Sequence, residues 1–278
     1  MRVLIVTAVP AERDAVVRGI AATAPEVAEL PVPGGVIHRL SPVPPTGRPL
    51  TVDVLAAGVG PAAAAAGTAA ALTAAAVART PYDLAVSAGI GGGFTATPPT
   101  TAAPTSPAPT TPRPGSTTPR PGSATPRLGS VVVADAIVAA DLGAETPDGF
   151  AAVTDLGFGT VEHLPPAPLV AAVAEATDAV RGTVLTVSTV TGSAERAAEL
   201  LRRHPHAVAE AMEGFGVAEA AAAQAVPALE VRTVSNAVGP RDRAAWRIGE
   251  AMAALTSAFA TIAPLLGTWT FDPEGTRQ

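Results

Sequence analysis

The chain of 278 residues contains no cysteine. That removes disulfides, cysteine nucleophiles, iron–sulfur clusters and thiolate zinc sites from the functions open to it. Lysine is missing too, because all 18 basic residues are arginine. Without it there is no Walker A lysine to reach nucleotide phosphates and no Schiff-base lysine for pyridoxal phosphate chemistry. A formal charge of -6 and a pI near 5.2 leave no basic field to draw in a polyanion, so no nucleic-acid partner is expected. The four histidines, His38, His163, His204 and His206, show no metal-ligand spacing beyond a His-Pro-His that reads as a helix end. No G-x-S-x-G elbow is present. Gly58-Val59-Gly60 is followed by Pro61 and a string of alanines, which does not fit a dinucleotide fingerprint. Neither a metal nor a cofactor is expected.

What is present is a regular alternation. Apolar, β-rich runs recur at Arg2 to Thr7, Thr51 to Ala57, Asp83 to Ala88, Ser130 to Val138, Thr183 to Thr189 and Leu229 to Ser235. Helical patterns lie between most of them, at Ala11 to Ala22, Pro61 to Ala78, Ala167 to Ala176, Ala194 to Arg203 and Glu213 to Gln224, and Arg243 to Leu266 reads as a closing helix. Such alternation predicts an α/β fold: a single-domain three-layer α/β/α sandwich around a mixed, mostly parallel twisted sheet. Glu12, Arg13 and Asp14 follow the first apolar run too soon for a signal peptide. The run Pro61 to Ala78 has the length of a membrane span, but Ala, Gly and Thr make it weakly hydrophobic. It is expected to be a buried helix, with no membrane partner and a cytoplasmic location.

One segment breaks the pattern. Residues 95–127 are almost entirely Thr, Pro, Ala, Ser, Gly and Arg, and a seven-residue unit recurs within them at Thr111, Thr118 and Thr125. This composition cannot build a core, and it predicts a disordered insertion within one catalytic domain spanning 1–278. A tolerated expansion of a surface loop is favoured over a docking tether, because lengthening a loop costs little.

Two polar islands interrupt the alanine- and valine-rich background of the last third: Ala211-Met212-Glu213-Gly214-Phe215-Gly216 and Ser235-Asn236-Ala237-Val238-Gly239-Pro240-Arg241-Asp242. Ser235 and Asn236 follow a strand-like run, at the carboxyl edge where open α/β sheets bind ligands. Glu213 is either a solvated first-turn acid on the following helix or a buried carboxylate, for which two ribose hydroxyls are suitable donors. Glu12, after the first strand, is equally readable as a helix N-terminal acid or as a base that takes a proton from water. Gly89-Ile90-Gly91-Gly92-Gly93 also ends a strand, where backbone can approach a ligand closely. Together these point to a pocket for a nucleoside.

At these residues the chain resembles the nucleoside phosphorylase and nucleosidase superfamily, over nearly its whole length apart from the Pro/Thr segment. Ser235-Asn236 through Asp242-Arg243 with Trp246, Val133-Ala134-Asp135 through Asp141, and Ala211-Met212-Glu213-Gly214 resemble the futalosine hydrolase branch most closely. The resemblance implies that Glu12 activates the attacking water, that Met212 and Glu213 hold the ribose, and that Ser235 and Asn236 meet the base. It extends the substrate-binding set to Gly89, Ile90, Val190, Thr191, Phe158 and Arg241, offers Asp242 as a source of the leaving-group proton, and implies a homodimer or larger homo-oligomer. Adenine-specific relatives carry Asp where this chain has Asn236. A neutral amide donates to O6 or N7 of a 6-oxopurine without a charge to repel the oxygen, which favours hypoxanthine. Phosphorylases of the superfamily commonly place Arg where Ser87 stands, and Glu12 would repel phosphate; Arg13 keeps that alternative open, as does the adenine-releasing one.

Overall fold

Strand β1 (Arg2–Thr7) sets the architecture. Its side chains alternate between faces, and both faces are buried: Val3 and Ile5 pack with one set of helices, Leu4 and Val6 with another. A strand apolar on both sides belongs in the middle of a covered, mostly parallel sheet. The computed structural model describes residues 1–24, 26–42, 49–95 and 125–269. In chain order the further elements are α1 (Pro10–Ala21), β2 (Val27–Val32), β3 (Gly35–Leu40), β4 (Thr51–Ala56), α2 (Pro61–Val77), β5 (Leu84–Gly93), β6 (Val131–Ala139), β7 (Gly143–Thr146) and β8 (Gly149–Ala152). They continue with β9 (Glu162–His163), α3 (Ala167–Thr177), β10 (Val180–Thr186), α4 (Ala194–Arg203), β11 (Ala207–Ala211), α5 (Gly214–Ala222), β12 (Ala228–Ala237) and α6 (Ile248–Leu266). Residues 96–124, most of the segment expected to be a disordered insertion, lie outside the described residues.

The main sheet runs β11-β10-β6-β12-β5-β1-β4-β3-β2. Pairs β1–β4, β1–β5, β5–β12, β6–β10 and β10–β11 are parallel, and β2–β3, β3–β4 and β6–β12 antiparallel. Helices α1, α3 and α6 cover one face and α2 and α5 the other, which is the expected mixed α/β arrangement. The sheet also does something that periodicity does not announce: β11 pairs with β5 as well as with β10, so five strands close on themselves.

Several boundaries differ from expectation. Strand β5 does not stop at Ala88 but runs to Gly93, so the glycine stretch lies inside the sheet. The missing side chains let neighbours close in: a Cβ at Gly91 would lie 2.8 Å from the Glu210 carbonyl oxygen, and one at Gly93 2.7 Å from Val234. The closing helix begins at Ile248 rather than Arg243. Asp242 instead caps a separate 3-10 turn over Arg243–Ala245, and Trp246 after it is extended.

Among the described residues α6 is the one helix long and apolar enough to cross a membrane. Its stripe of Leu255, Phe259, Ile262 and Leu266 is nevertheless fully buried within the protein. Close approach to α1 depends on Gly19, where a Cβ would stand 2.3 Å from the Thr256 carbonyl oxygen. The alanine-rich α2 buries one face through Ala64, Thr68, Ala71 and Leu72. At the outer part of the sheet, Asp53 is fully buried and accepts from Arg39 Nε and Nη2, both at 2.7 Å, from Arg2 Nη2 at 2.9 Å and from Tyr82 Oη at 2.5 Å. Burial opposes its charge, but these donors hold its carboxyl below the ordinary value of 3.8.

Candidate active site

The carboxyl ends of β1, β4, β5 and β12 open on one edge of the sheet, where they surround a cavity of about 420 Å³. That volume suits a nucleoside-sized ligand. Glu12, Met212, Glu213, Ser235, Asn236, Ile90, Val190, Thr191 and Arg241 all line it, so most of the residues singled out in the sequence come together.

Glu12 sits in the first turn of α1, and its carboxylate turns back to the loop that precedes the helix. Oε2 accepts from the backbone N–H of Ala8 at 3.0 Å and of Val9 at 3.2 Å, and Oε1 from that of Ile90 at 2.9 Å. The loop after β1 and strand β5 thus clamp one carboxylate whose residue is only 3% exposed. Burial pushes the Glu12 carboxyl above its ordinary 4.5, against the pull of Arg232 and of the Ile90 N–H, while Glu213 adds to the rise. A buried, orientationally fixed carboxyl with a raised pKa has the attributes of a general base.

Glu213 stands at the N-cap position of α5, with no side-chain bond to the helix, and is also buried. Its Oε1 accepts from the Gly60 N–H at 3.2 Å. Gly60 has φ +94°, which accounts for glycine at that turn. Oε2 lies 3.2 Å from Arg232 Nη1, within ion-pair range but not aligned as a hydrogen bond.

Arg232 is the functional residue that the sequence reading missed. Fully buried on β12, it donates from Nε to Glu230 at 2.9 Å and from Nη2 to the Ser87 hydroxyl at 2.7 Å. Desolvation opposes its charge, yet Glu230, Glu213 and Glu12 outweigh that cost, so it holds its proton more firmly than a free arginine. Burial in turn raises the Glu230 carboxyl, against the pull of Arg232. Glu230 and Arg232 stand two apart on β12, hence on one face, but Thr233 and Ser235 in the same strand keep the pair from standing out in the sequence. A Cβ at Gly89 would lie 2.6 Å from Glu12 Oε1 and 2.7 Å from Arg232 Nη1, so this glycine lets the acid of α1 and the guanidinium of β12 converge over β5.

At the other end, Ser235 donates to Asn236 Oδ1 at 2.8 Å, and Asn236 Nδ2 donates to the Ala237 carbonyl at 3.0 Å. Glu210, a second residue missed earlier, also lines the cavity. Arg241 lies over the Trp246 ring, 5.6 Å from its centroid, at the rim. Three expected residues are not lining. Gly89 acts from behind Glu12 as described, Phe158 is 69% exposed away from the cavity, and Asp242 is exposed, with Oδ1 accepting from the Ala244 N–H at 3.1 Å. A carboxylate engaged in capping an outer turn is not positioned to protonate a leaving group, so Asp242 is withdrawn from the catalytic set. Among the described residues no group of three or more His, Asp or Glu could hold a metal ion.

A family model described as the phosphorylase superfamily matches residues 115–266. The chain is 61% identical over 269 residues to a futalosine hydrolase of Streptomyces coelicolor, covering 97% of this chain and 98% of that protein. This chain belongs to the futalosine hydrolase family. A second relative, a futalosine hydrolase of Acidothermus cellulolyticus, is 39% identical over 280 residues, covering 98% of this chain and 93% of its own. Among solved structures the fold matches the futalosine hydrolase of Helicobacter pylori with a TM-score of 0.68 at 14% identity, over 95% of this chain and 97% of that one. The family is one of nucleoside N-glycosyl hydrolases, and the nucleoside-sized cavity lined by the buried carboxylates of Glu12, Glu210 and Glu213 is in keeping with it.

Proposed function

We propose that the protein hydrolyses the N-ribosidic bond of futalosine, releasing hypoxanthine and dehypoxanthine futalosine, as a step in the futalosine route of menaquinone biosynthesis. The observation that carries the reading is the convergence of Glu12 and Glu213 on one cavity that Asn236 also lines. Ribose hydroxyls would donate to Glu213, with Met212 against the sugar. As the bond to the base breaks, positive charge grows on the ribose, and the two carboxylates stabilise it. Glu12 takes the proton of the attacking water, and Asn236 receives the departing hypoxanthine. With Asp242 removed from the set, stabilisation of the leaving base falls to hydrogen bonding at Asn236 and to solvent.

Charge favours water over phosphate as the nucleophile. Behind the reacting end, the Arg232 guanidinium faces three carboxylates, Glu12, Glu213 and Glu230, so a phosphate dianion would meet a negative surplus there. Arg13, which had kept a phosphorylase open, donates instead to its neighbour Asp14 at 2.8 Å and 2.9 Å and is not among the lining residues. We infer that residues 1–278 act as one catalytic domain, in the cytoplasm and as a homodimer or larger homo-oligomer. Exposed Leu156, Phe158 and Leu164 are candidates for subunit contact. The test is base release from futalosine, 6-amino-6-deoxyfutalosine, methylthioadenosine and inosine, followed by chromatography. Hypoxanthine from futalosine is expected as the fastest release; preferential release of adenine would overturn the assignment.

A further inference from the structure

Helix α5 begins at the site, and its first turn is capped in an unusual way. The first N–H groups of a helix have no partner inside it, and the side chain of the N-cap residue ordinarily turns back to accept from the second or third of them. Helix α4 does so: Ser193, extended at φ −138° and ψ 158°, accepts from the Arg196 N–H at 3.1 Å. Glu213, the N-cap residue of α5, does not. Its backbone lies in the right-handed helical region, at φ −114° and ψ −29°, and its side chain makes no bond to the helix.

The acceptor comes from a strand instead. The Phe215 N–H, the second of α5, donates to the Thr186 hydroxyl at 2.8 Å. Thr186 is 2% exposed at the end of β10, where its backbone pairs with Ala139 of β6 on one side and Ala211 of β11 on the other. The sheet therefore places this hydroxyl independently of α5. Helix α2 fixes the same turn from its own side: a Cβ at Gly216 would lie 2.1 Å from the carbonyl oxygen of Pro61, the residue after the Gly60 that donates to Glu213. With its helix capped from elsewhere, the Glu213 carboxylate is turned toward Gly60 and Arg232, on the cavity wall.

We propose that Thr186 is a positioning residue for the ribose: by capping α5 in place of Glu213, it keeps that carboxylate out of the helix terminus and in the cavity. Without the hydroxyl, the Phe215 N–H is left unpaired in the interior, where Phe215 belongs to the buried cluster of Ala139, Val184 and Val234. An unpaired buried donor is costly. Glu213 stands at the position from which an N-cap side chain reaches this N–H, and the helix dipole draws a negative charge there. Once turned back, its carboxylate no longer meets the ribose hydroxyls. The inference rests on the nucleosidase reading and specifies how the fold keeps the sugar-binding acid available.

The test compares kcat/KM for futalosine and 2′-deoxyfutalosine with wild-type protein, Thr186→Val and Thr186→Ser. Valine matches threonine in shape but lacks the acceptor, whereas serine keeps it. Reading each variant against wild type cancels the different intrinsic reactivity of the two glycosidic bonds. Thr186→Val is expected to lower kcat/KM for futalosine by about a hundredfold, the cost of misplacing a group at the reacting centre by about 1 Å. Its preference for the ribo over the deoxy substrate should shrink by about tenfold or more, because only the ribo substrate loses a hydrogen bond from the 2′-hydroxyl to a charged group. Thr186→Ser is expected to restore rate and preference to within a few fold of wild type. Loss of folded protein alone would lower both substrates in parallel and leave the preference unchanged, and an unchanged preference in Thr186→Val overturns the inference. So does a folded Thr186→Ser that has lost the preference, whether or not the valine variant can be purified. If wild type releases no base from futalosine, the function proposed above fails first and the inference falls with it.

Discussion

Replacing Gly89 with alanine adds a single methyl group at the place where the two halves of the site meet. An ideal Cβ there would lie 2.6 Å from Glu12 Oε1, 2.7 Å from Arg232 Nη1 and 3.0 Å from Glu12 Cδ. Neither neighbour is free to retreat. Glu12 is held by three backbone N–H groups, and Arg232 is fully buried between Glu230, Glu213 and Ser87. The carboxylate must therefore leave its bond to Ile90, or β5 must shift. Overpacking of this kind costs about 1–3 kcal/mol, a fall of a few degrees in Tm for a chain of this size. The catalytic cost is larger, because misplacing a reacting group by about 1 Å costs on the order of a hundredfold. Steady-state kcat on futalosine, with Tm measured alongside, separates the two effects. Gly249→Ala is the matched control, since its Cβ would meet nothing within 4 Å, and it should leave kcat unchanged. Gly89→Ala with kcat within twofold of wild type would show that the Glu12 and Arg232 geometry does not govern turnover.

Other expectations follow from the same geometry. Glu12→Gln should keep substrate binding while lowering kcat by about 10²–10⁴-fold, the range of a general base; unchanged turnover would remove Glu12 from that role. In wild type, a base must be deprotonated and burial raises the Glu12 pKa, so kcat/KM should fall on the acid side with an apparent pKa above the ordinary 4.5. A profile flat to below that value would contradict the assignment. Arg232→Met strands three carboxylates in the interior and should cost about 3–5 kcal/mol in denaturant unfolding, the usual penalty for breaking a buried ion pair; a loss under about 1 kcal/mol would mean the carboxyls neutralise themselves by taking up protons. Asp242→Asn keeps a capping oxygen for Ala244 and should change kcat by less than about twofold, whereas a large loss would return Asp242 to the catalytic set.

The parts legible in the sequence are those where a local pattern coincides with a tertiary role. Strand β1 runs from Arg2 to Thr7 as its pattern predicts, because the apolar run Val3–Val6, buried on both faces, is bounded sharply by polar Arg2 and Thr7. Helix α4 matches over Ala194–Arg203, with Ser193 accepting from the Arg196 N–H as a cap. The β2–β3 hairpin escaped notice because Val27–Val32 is an outer strand with Glu29 and Pro31 in it, and its pairing is set by β3 rather than by its own periodicity. The five residues of β11 were invisible as a strand because alanine dominates them, and with them went the context that makes Glu210 a site residue. Glu12, Glu213 and Asn236 were recognisable as polar residues next to apolar strands and small residues. Arg232 was not, because its meaning depends on Gly89 and Ser87, some 145 residues away in the chain.

The measurement that bears most directly on the account is futalosine turnover by the purified protein in the presence and absence of phosphate, with free hypoxanthine quantified. Hypoxanthine release at the same rate in both is the predicted result, since three carboxylates around Arg232 leave no place for a phosphate dianion. Release that requires phosphate, with a phosphorylated sugar as the second product, would contradict it and make the protein a phosphorylase.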